Sequence, residues 1–237
     1  HVPKKSLHHS HVPRDVGDVL RSAVSLCDRF VVSTEPLADA YKGMVDDIRV
    51  VPNFIRHDLW GDLKPLRRQS RLPRVGWAGG ASHSGDLELI FDVVKETADE
   101  VDWVFFGMCP EYMRPYVREF HTGVPFHEYP AKLASLNLDL AVAPLELNPF
   151  NDSKSNLRLL EYGALGFPVI CTDYTPYRGD FPVSLVQNNT KAWVTAIREH
   201  VADLDATAKM GDALREKVMR EWLLEDNLDV WLKAWLP

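Results

Sequence analysis

Short apolar runs alternate with amphipathic segments along most of the chain. Strands are predicted where β-branched and aromatic residues cluster, and the most apolar of these runs is VDWVFFG at residues 101–107. Helices are predicted where apolar residues recur at three- and four-residue spacing. This alternation predicts an α/β fold, in which a Rossmann-like parallel sheet carries helices on both faces and is preceded by a partial α/β unit. Ligands of such sheets bind at the carboxyl ends of the strands.

The individual elements follow from the same pattern. Strands are predicted at residues 29–34, 48–53, 101–107, 124–127, 139–144 and 183–186, with two more opening at Arg74 and after Gly166-Phe167-Pro168. Helices are predicted at residues 15–26, 35–44, 85–98, 110–120, 130–136, 190–204 and 206–221. At the end of the chain one apolar stripe is expected to pack against the protein: Leu224, Leu228, Trp231 and Trp235. Binding of this stripe to an anionic membrane surface is the alternative, which the mixed charges of its polar face disfavour.

The segment NDSKSNLRLLEYGALGFPVICTD, residues 151–173, combines a polar turn cluster with about three helical turns and a strand. Leu157, Leu160 and Ala164 share one helical face, which is expected to pack on the sheet. If the helix already includes Lys154, then Lys154, Arg158 and Glu161 lie on the opposite face, within a sector of roughly 60°.

The spacing of Lys154 and Glu161 suits one nucleotide. Seven residues of helix separate them by about 10 Å, roughly the reach from a diphosphate to the ribose of the same nucleotide. The polar cluster before the helix supplies backbone N–H groups and a cation at a helix N-terminus, where anions bind. Helix geometry alone favours a simpler interpretation, a capped surface helix with a partly solvated Lys–Glu pair.

A second candidate site is the glycine-rich turn in RVGWAGGASHSGDL, residues 74–87. Small residues let a backbone approach a ligand, and the helix that follows favours a phosphate at its start. Gly76, Gly79 and Gly80 do not have the spacing of the dinucleotide fingerprint, which weakens a dehydrogenase interpretation. His83 lies in this turn as a further candidate ligand for phosphate, although a lone histidine in a turn is as often incidental.

Composition narrows the class of protein. The 237 residues are 46% hydrophobic and 26% charged, as in ordinary globular proteins, and the net charge of −7 argues against an extended nucleic-acid surface. Cys27, Cys109 and Cys171 lack metal-site spacing and fit a reducing cytoplasm. No apolar run approaches the roughly 20 residues that span a bilayer, so no transmembrane segment is expected.

Two features of the first residues carry expectations of their own. His8, His9 and His11 could bind a metal, but no carboxylate or cysteine stands at ligand spacing, so a solvent-facing loop is the simpler interpretation. The chain begins at His1, without a methionine and inside a predicted loop, so a fragment of a longer protein is expected.

The stretches LAVAPL, residues 140–145, and NPFNDSKSNLRLLEYGALGFPVI, residues 148–170, resemble the donor-site segment of retaining glycosyltransferases with the two-domain GT-B fold. The likeness is strongest to bacterial members that build surface polysaccharides or modify glycoproteins. The family pattern is a glutamate, seven residues and a second glutamate ahead of a Gly-Pro-Val ending. Glu161 matches the second glutamate, whereas Ser153 occupies the first position, whose acid usually touches the donor sugar.

This resemblance implies a set of site residues. The expected donor-binding residues are Gly79, Gly80, His83, Ser153, Lys154, Ser155, Asn156, Leu157 and Glu161. Gly107 and Tyr129 are expected to flank the nucleotide base, although Tyr129 could simply pack in the core. In the family an arginine and a lysine often follow the glycine-rich turn, and here His83 with Ser82 and Ser84 stands in their place.

The same resemblance divides the chain. Residues 1–55 are expected to end an N-terminal Rossmann-like domain, because the passage up to Pro52-Asn53 looks like its last units. Residues 56–73 are expected to form a linker whose basic run is solvated. Residues 74–220 are expected to form the C-terminal nucleotide-sugar-binding domain, and residues 221–237 a helix that returns toward the N-terminal domain.

The implied function is transfer of a sugar from a nucleotide-sugar donor to a glycan or protein acceptor, in cytoplasmic polysaccharide biosynthesis. This chain would be mainly the donor-binding part and inactive alone, so no catalytic base is assigned. No cofactor is expected, and no metal, because no Asp-x-Asp or His-carboxylate cluster is available beside a diphosphate. Two alternatives remain: a nucleotide-binding or interaction module without turnover, which Ser153 favours, and a nucleotide-sugar epimerase of the same architecture.

Overall fold

The computed structural model describes residues 9–236. His8 therefore lies outside the described residues, whereas His9 and His11 are exposed and form a short 3-10 helix. Within these residues eight strands form two sheets, with these bounds: β1 Phe30–Val32, β2 Ile48–Val50, β3 Arg74–Ala78, β4 Asp102–Gly107, β5 Glu119–Thr122, β6 Leu140–Ala143, β7 Val169–Thr172 and β8 Ser184–Val186.

The larger sheet has six strands in the order β5-β4-β3-β6-β7-β8, and every neighbouring pair is parallel. Strands β3, β6 and β7 are buried along their whole length, as is expected of a parallel sheet covered on both faces. The expected α/β fold with a parallel sheet and flanking helices is confirmed. Strands β1 and β2 form a separate two-stranded parallel sheet.

Eleven α-helices lie within residues 9–236: α1 Val16–Val24, α2 Glu35–Tyr41, α3 His57–Trp60, α4 Ser84–Leu89, α5 Phe91–Thr97, α6 Tyr129–Ala134, α7 Pro149–Asp152, α8 Leu157–Ala164, α9 Thr190–Ala202, α10 Leu204–Glu221 and α11 Leu228–Trp235. Their starts follow local chemistry. Asn148, Asn189 and Asp203 each accept a hydrogen bond from a backbone N–H in the first turn of α7, α9 and α10.

The core consists of two apolar layers, one on each face of the larger sheet. Side chains alternate along β4, so that Trp103 and Phe105 enter one layer while Val104 and Phe106 enter the other. Helices α4, α5 and α9 cover the first layer, and α6, α8 and α10 cover the second. Because each face buries its own set of apolar side chains, the carboxyl edge of the sheet stays free for polar loops.

Two predicted elements between β4 and α6 are wrong. The helix expected at residues 110–120 is only a 3-10 helix, Glu111–Tyr116, and the strand expected at 124–127 is instead a 3-10 helix, Phe126–Glu128. Pro115 lacks an N–H and keeps the first helix short. The edge strand β5 forms between them, where the Glu119 carboxylate accepts two hydrogen bonds from the guanidinium of Arg74, at 2.7 and 2.9 Å.

The linker also differs from expectation, because its basic run is not simply solvated. The guanidinium of Arg67 donates to Asp212 on α10 at 2.6 Å and to the Gly166 carbonyl at 3.1 Å. Arg68 pairs with Asp205 on the same helix. These side chains are partly exposed, so each pair contributes little energy, and together they fix the path of the linker along α10.

The end of the chain contacts residues 9–55, which carry β1 and β2 and are called the N-terminal unit below. Arg29 donates to the carbonyl oxygens of Ala234 and Leu236, at 2.8 and 2.6 Å, and to Asp47 at 2.7 Å. The expected packed stripe is wrong in part, because Leu228 and Trp235 are exposed. A 3-10 helix at Glu225–Asn227 precedes α11, which breaks the helical phase between Leu224 and the rest of the stripe. The division of the chain into two domains stays a prediction.

One buried hydrogen bond joins β3 to α8 and gives a stability test. The backbone N–H of Ala78, at the end of β3, donates to the hydroxyl oxygen of Tyr162 on α8 at 2.9 Å. Tyr162→Phe leaves this buried N–H without a partner, so the free energy of unfolding is expected to fall by about 1 to 3 kcal/mol. Urea denaturation measures the change. Glu216→Ala, on an exposed side chain of α10, should change stability by less than about 0.5 kcal/mol, and equal losses in both variants would contradict the assignment.

Candidate functional site

The strand order of the larger sheet identifies its crevice. Chain connections leave β3 toward β4 and β5 on one side, and leave β6 toward β7 and β8 on the other. Strands β3 and β6 are neighbours, so the chain reverses its direction across the sheet between them. In open α/β sheets ligands bind outside the carboxyl ends of the strands at this switch point. The segment after β3 carries the candidate residues Gly79 to His83, and the segment between β6 and β7, which includes α8, carries Ser153 to Glu161.

The glycine-rich turn after β3 packs directly on the turn after β4. The Gly79 N–H donates to the Phe106 carbonyl at 3.0 Å. A Cβ at Gly107, where φ is +92°, would lie 2.4 Å from the Gly79 carbonyl oxygen, and a Cβ at Gly79 would lie 2.4 Å from the Trp77 ring. Both positions therefore require glycine, and the structure places these two predicted residues side by side.

The carboxylate of Asp86, on α4, is the centre of the site although the sequence had not singled it out. It is 2% exposed and accepts hydrogen bonds from His83 Nδ1 at 2.7 Å, the Glu146 N–H at 2.7 Å and Asn151 Nδ2 at 2.9 Å. One side chain thus connects the glycine-rich turn with the loop after β6. The spacing His83-x-x-Asp86 in the first turn of a helix was the available signal, because residues three apart share a helical face.

Lys154 does not belong to the helix of Glu161, contrary to the expectation. Helix α7 ends at Asp152 and α8 begins only at Leu157, because the N-cap residues Asn148 and Asn156 start two separate helices. The Lys154 ammonium turns toward Asp86, with Nζ 3.6 Å from Oδ2 and 5.4 Å from the centre of the Phe150 ring. Its nitrogen is buried and makes no hydrogen bond within the described residues. Burial lowers the pKa of Lys154, and the nearby Asp86 opposes that shift.

Glu161 belongs to a second buried group. Its Oε2 accepts hydrogen bonds from the Tyr129 hydroxyl at 3.1 Å and from Arg158 at 3.0 Å, and Arg158 also donates to the Tyr129 oxygen at 2.9 Å. Burial raises the pKa of Glu161, while the positive charge of Arg158 acts in the opposite direction. Arg158 and Glu161 share a face of α8 as expected, but that face points inward.

Tyr129 packs in the core and is not a free surface ring. It stacks on Phe106 with ring centres 5.5 Å apart and meets Trp60 edge-on at 6.1 Å. The helix face expected to cover the sheet is also shifted. Leu160 and Ala164 are fully buried, whereas Leu157 is 36% exposed, because it is the first residue of α8 and lies outside the packed layer.

The N-terminal unit reaches the same segment from across the crevice. Thr34 Oγ1 donates to the Ser153 carbonyl at 2.9 Å, and Asn53 Nδ2 donates to Ser155 Oγ at 2.6 Å. Asn156 is the N-cap of α8, and Gly80 starts the 3-10 helix at Ala81–His83. Ser153 and Ser155 therefore face the N-terminal unit, while Lys154 between them faces Asp86.

Metal binding and membrane insertion are two further properties on which residues 9–236 bear. No group of three or more histidine, cysteine, aspartate or glutamate side chains is arranged to hold a metal ion in this part of the chain. Among the helices described, none combines the length and the apolar character that crossing a membrane requires.

No protein-family model and no curated protein matches the sequence, but solved structures share the fold. A TarM mutant from S. aureus in complex with Fondaparinux, alpha-GlcNAc-glycerol and UDP is 15% identical, with a TM-score of 0.68, over 98% of this chain and 48% of that one. Sucrose-phosphate synthase from Thermosynechococcus elongatus is 20% identical, with a TM-score of 0.68, over 97% and 64%. Anabaena Alr3699/HepE in complex with UDP-glucose is 14% identical, with a TM-score of 0.67, over 94% and 68%.

These similar structures are glycosyltransferases with the GT-B fold. The chain spans about half the length of the TarM structure and about two thirds of the other two. At identities of 20% or less the likeness establishes the architecture and no residue role.

The group around Glu161 gives a test of how the site is held. Glu161→Ala removes the carboxylate and leaves the Arg158 guanidinium buried without a counter-charge, so the free energy of unfolding should fall by about 3 to 5 kcal/mol. Glu161→Gln keeps the shape and one acceptor oxygen and should cost less. Urea denaturation measures both variants, with Glu216→Ala on an exposed side chain of α10 as the control. A loss in Glu161→Ala no larger than in the control would contradict the buried pairing.

Proposed function

We propose that this chain is the donor-binding part of a retaining glycosyltransferase that transfers a sugar from a nucleotide diphosphate sugar to a glycan or protein acceptor. The observation that carries this proposal is the meeting of the Gly79 turn and the Lys154 segment around Asp86, at the switch point between β3 and β6. Small backbone turns, helix starts and cations converge there, and this combination suits a diphosphate. The bound UDP and UDP-glucose of the similar structures support the same ligand class.

The diphosphate would lie against the Gly79-Gly80 turn and the start of α8. As the sugar leaves, negative charge develops on the departing diphosphate, and preorganised N–H groups and cations stabilise it. Lys154 is the lysine that precedes α8, but its nitrogen is buried beside Asp86. Donor binding would therefore draw the ammonium from Asp86 toward phosphate, an exchange of one anionic partner for another.

The ribose would bind at Glu161. Both of the hydrogen bonds from Tyr129 and Arg158 fall on Oε2, so neither of them occupies Oε1. A second oxygen of the same carboxylate can accept from a ribose hydroxyl. Gly107, at the end of β4, would lie beside the base, while Tyr129 would act through its hydrogen bond to Glu161 and not by stacking on the base.

Ser153 would not replace the family's sugar-contacting acid directly. Its hydroxyl donates to the Pro149 carbonyl at 3.0 Å and its own carbonyl accepts from Thr34. We propose that the acceptor and the remaining sugar contacts belong to an N-terminal domain of which β1 and β2 are part. The reaction would take place in the cytoplasm, in polysaccharide or glycoprotein synthesis, and would need no divalent metal.

The ligand assignment predicts which side chains control affinity. Lys154→Ala and Glu161→Gln should each weaken binding of nucleoside diphosphates by about 1 to 3 kcal/mol, because each removes a partner of a polar ligand atom. Calorimetry with UDP, GDP, ADP and dTDP, with and without EDTA, measures affinity and metal dependence. Lys95→Ala, an exposed lysine on α5 on the other side of the fold from α8, is the matched control. Unchanged affinity in both site variants, or loss of binding with EDTA, would refute the corresponding assignment.

The division of labour predicts binding without turnover. Holding donor and acceptor in register lowers the activation barrier of a bisubstrate reaction by up to roughly 7 to 11 kcal/mol. Most of the acceptor site is proposed to lie in an N-terminal domain of which this chain carries only a part. The chain is therefore expected to bind nucleotide sugar and to give no transfer product with oligosaccharide or peptide acceptors, as followed by mass spectrometry. Efficient transfer by this chain alone would show that the acceptor site lies within it.

A further inference from the structure

The imidazole of His83 is held more firmly than contact with a phosphate alone would require. It lies between the glycine-rich turn and α4, edge-on to the Trp77 ring with ring centres 5.9 Å apart, and its side chain is 18% exposed. Its Nδ1 is 2.7 Å from Oδ2 of Asp86. One ring nitrogen is thus fixed inside the protein, and only the other, Nε2, is left to meet a ligand.

The partners of Asp86 determine where the histidine carries its proton. Oδ1 accepts from the Glu146 N–H and from Asn151 Nδ2, and Oδ2 faces the Lys154 ammonium as well as His83. Because every other neighbour is a donor, Asp86 acts as an acceptor throughout, and His83 Nδ1 must carry the hydrogen. A neutral His83 therefore presents a lone pair at Nε2, which is an acceptor.

The charges around His83 come from each element that surrounds it. Asp86 on α4 favours the protonated ring, whereas Lys154 and Arg158 disfavour it. A further charged group is the Glu146 carboxylate after β6, which accepts a hydrogen bond from Asn148 at 3.3 Å. Burial is the largest influence and holds the pKa of His83 below its usual value. Near neutral pH the free protein thus holds a neutral imidazole. A phosphate oxygen brought to Nε2 would then meet a lone pair, and two acceptors cannot form a hydrogen bond with each other.

We infer that His83 takes up one proton from solvent when the diphosphate of the donor binds, and that Asp86 is the positioning residue that aims the resulting Nε2–H at a phosphate oxygen. The inference rests on the proposed function, because it uses the same donor site. The proton adds to Nε2, the Nδ1–H stays bonded to Asp86, and no bond of the donor breaks. The added positive charge replaces the cation that the glycine-rich turn lacks.

The consequence is a pH dependence of affinity with a defined sign. Since the complex holds one proton more than the free protein, affinity rises as the pH falls. The effect covers the range between the pKa of free His83, below about 6.5, and the higher pKa in the complex. The association constant is expected to change by up to about tenfold per pH unit within that range.

The decisive measurement counts protons during binding. UDP-glucose is the first probe, and GDP-, ADP- and dTDP-glucose follow if it does not bind, because a diphosphate diester has no group of its own that titrates near neutrality. Calorimetry at pH 7.5 in buffers of different ionisation enthalpy gives the number of protons taken up. Between about 0.5 and 1 proton is expected for the unmodified chain.

Three variants assign the proton. His83→Gln should bind more weakly and take up none. Asp86→Asn lets the amide donate to Nδ1, which moves the ring hydrogen to Nε2, so binding should persist with proton uptake close to zero. His200→Gln is the matched control, because His200 is also partly buried, with a pKa lowered by burial, but contacts Ser184 at the amino end of β8. Its proton uptake should equal that of the unmodified chain.

The outcomes separate the two proposals. If none of the nucleotide sugars binds, the proposed function fails and this inference with it. If a nucleotide sugar binds without proton uptake, or uptake persists in His83→Gln, the donor site stands and the role of His83 is refuted. If uptake disappears equally in His200→Gln, the proton belongs elsewhere and the inference also fails. Failure of Asp86→Asn to fold leaves the comparison of His83→Gln with His200→Gln decisive.

Discussion

The architecture of the candidate site depends on one buried carboxylate. Asp86 is almost inaccessible to solvent, and groups from the glycine-rich turn, the loop after β6 and α7 all donate to it. A buried carboxylate is costly unless its oxygens are fully hydrogen-bonded, so these donors cannot leave separately. The two loops that follow β3 and β6 are therefore held in one arrangement, although 60 or more residues separate Asp86 from its partners Glu146 and Asn151.

A second buried charge pair, Arg158 and Glu161, is likewise held by protein partners and lies on α8. Arg158 and Glu161 satisfy each other with Tyr129, and Tyr162 ties α8 to the end of β3. Each charged group that could meet a nucleotide already has a protein partner in the free chain. Such preorganisation lowers the entropy cost of binding, but it also means that a ligand must compete with an existing partner. The competition is sharpest at Lys154, whose ammonium is buried without a hydrogen bond beside Asp86.

The position of the site relative to the N-terminal unit follows from a few backbone contacts. Ile55 exchanges hydrogen bonds with Trp222 and Leu224, so the residue just before the linker is paired with the segment that follows α10. Thr34 and Asn53 then reach the segment that contains Ser153 and Ser155. A ligand bound beside Lys154 would thus contact a segment that is also hydrogen-bonded to the N-terminal unit, because the residues on either side of Lys154 contact that unit directly.

The sequence by itself determined the α/β architecture, the apolar strands such as residues 101–107, and the two loops at the switch point, because local periodicity and glycine spacing carry that information. The helical pattern of residues 110–120 shows the limit of prediction from the sequence. A prolyl ring at Pro115 and the pairing of β5 with β4 prevented that helix from forming. Only the tertiary structure decided that Lys154 faces Asp86, that Tyr129 packs on Phe106, and that Arg67 binds α10. These partners lie 23 to 145 residues apart in the chain, so no local pattern records them. The cost of burying unpaired charge selects the pairing of Lys154 with Asp86, whereas apolar packing places Tyr129 on Phe106 and hydrogen bonds hold Arg67 on α10.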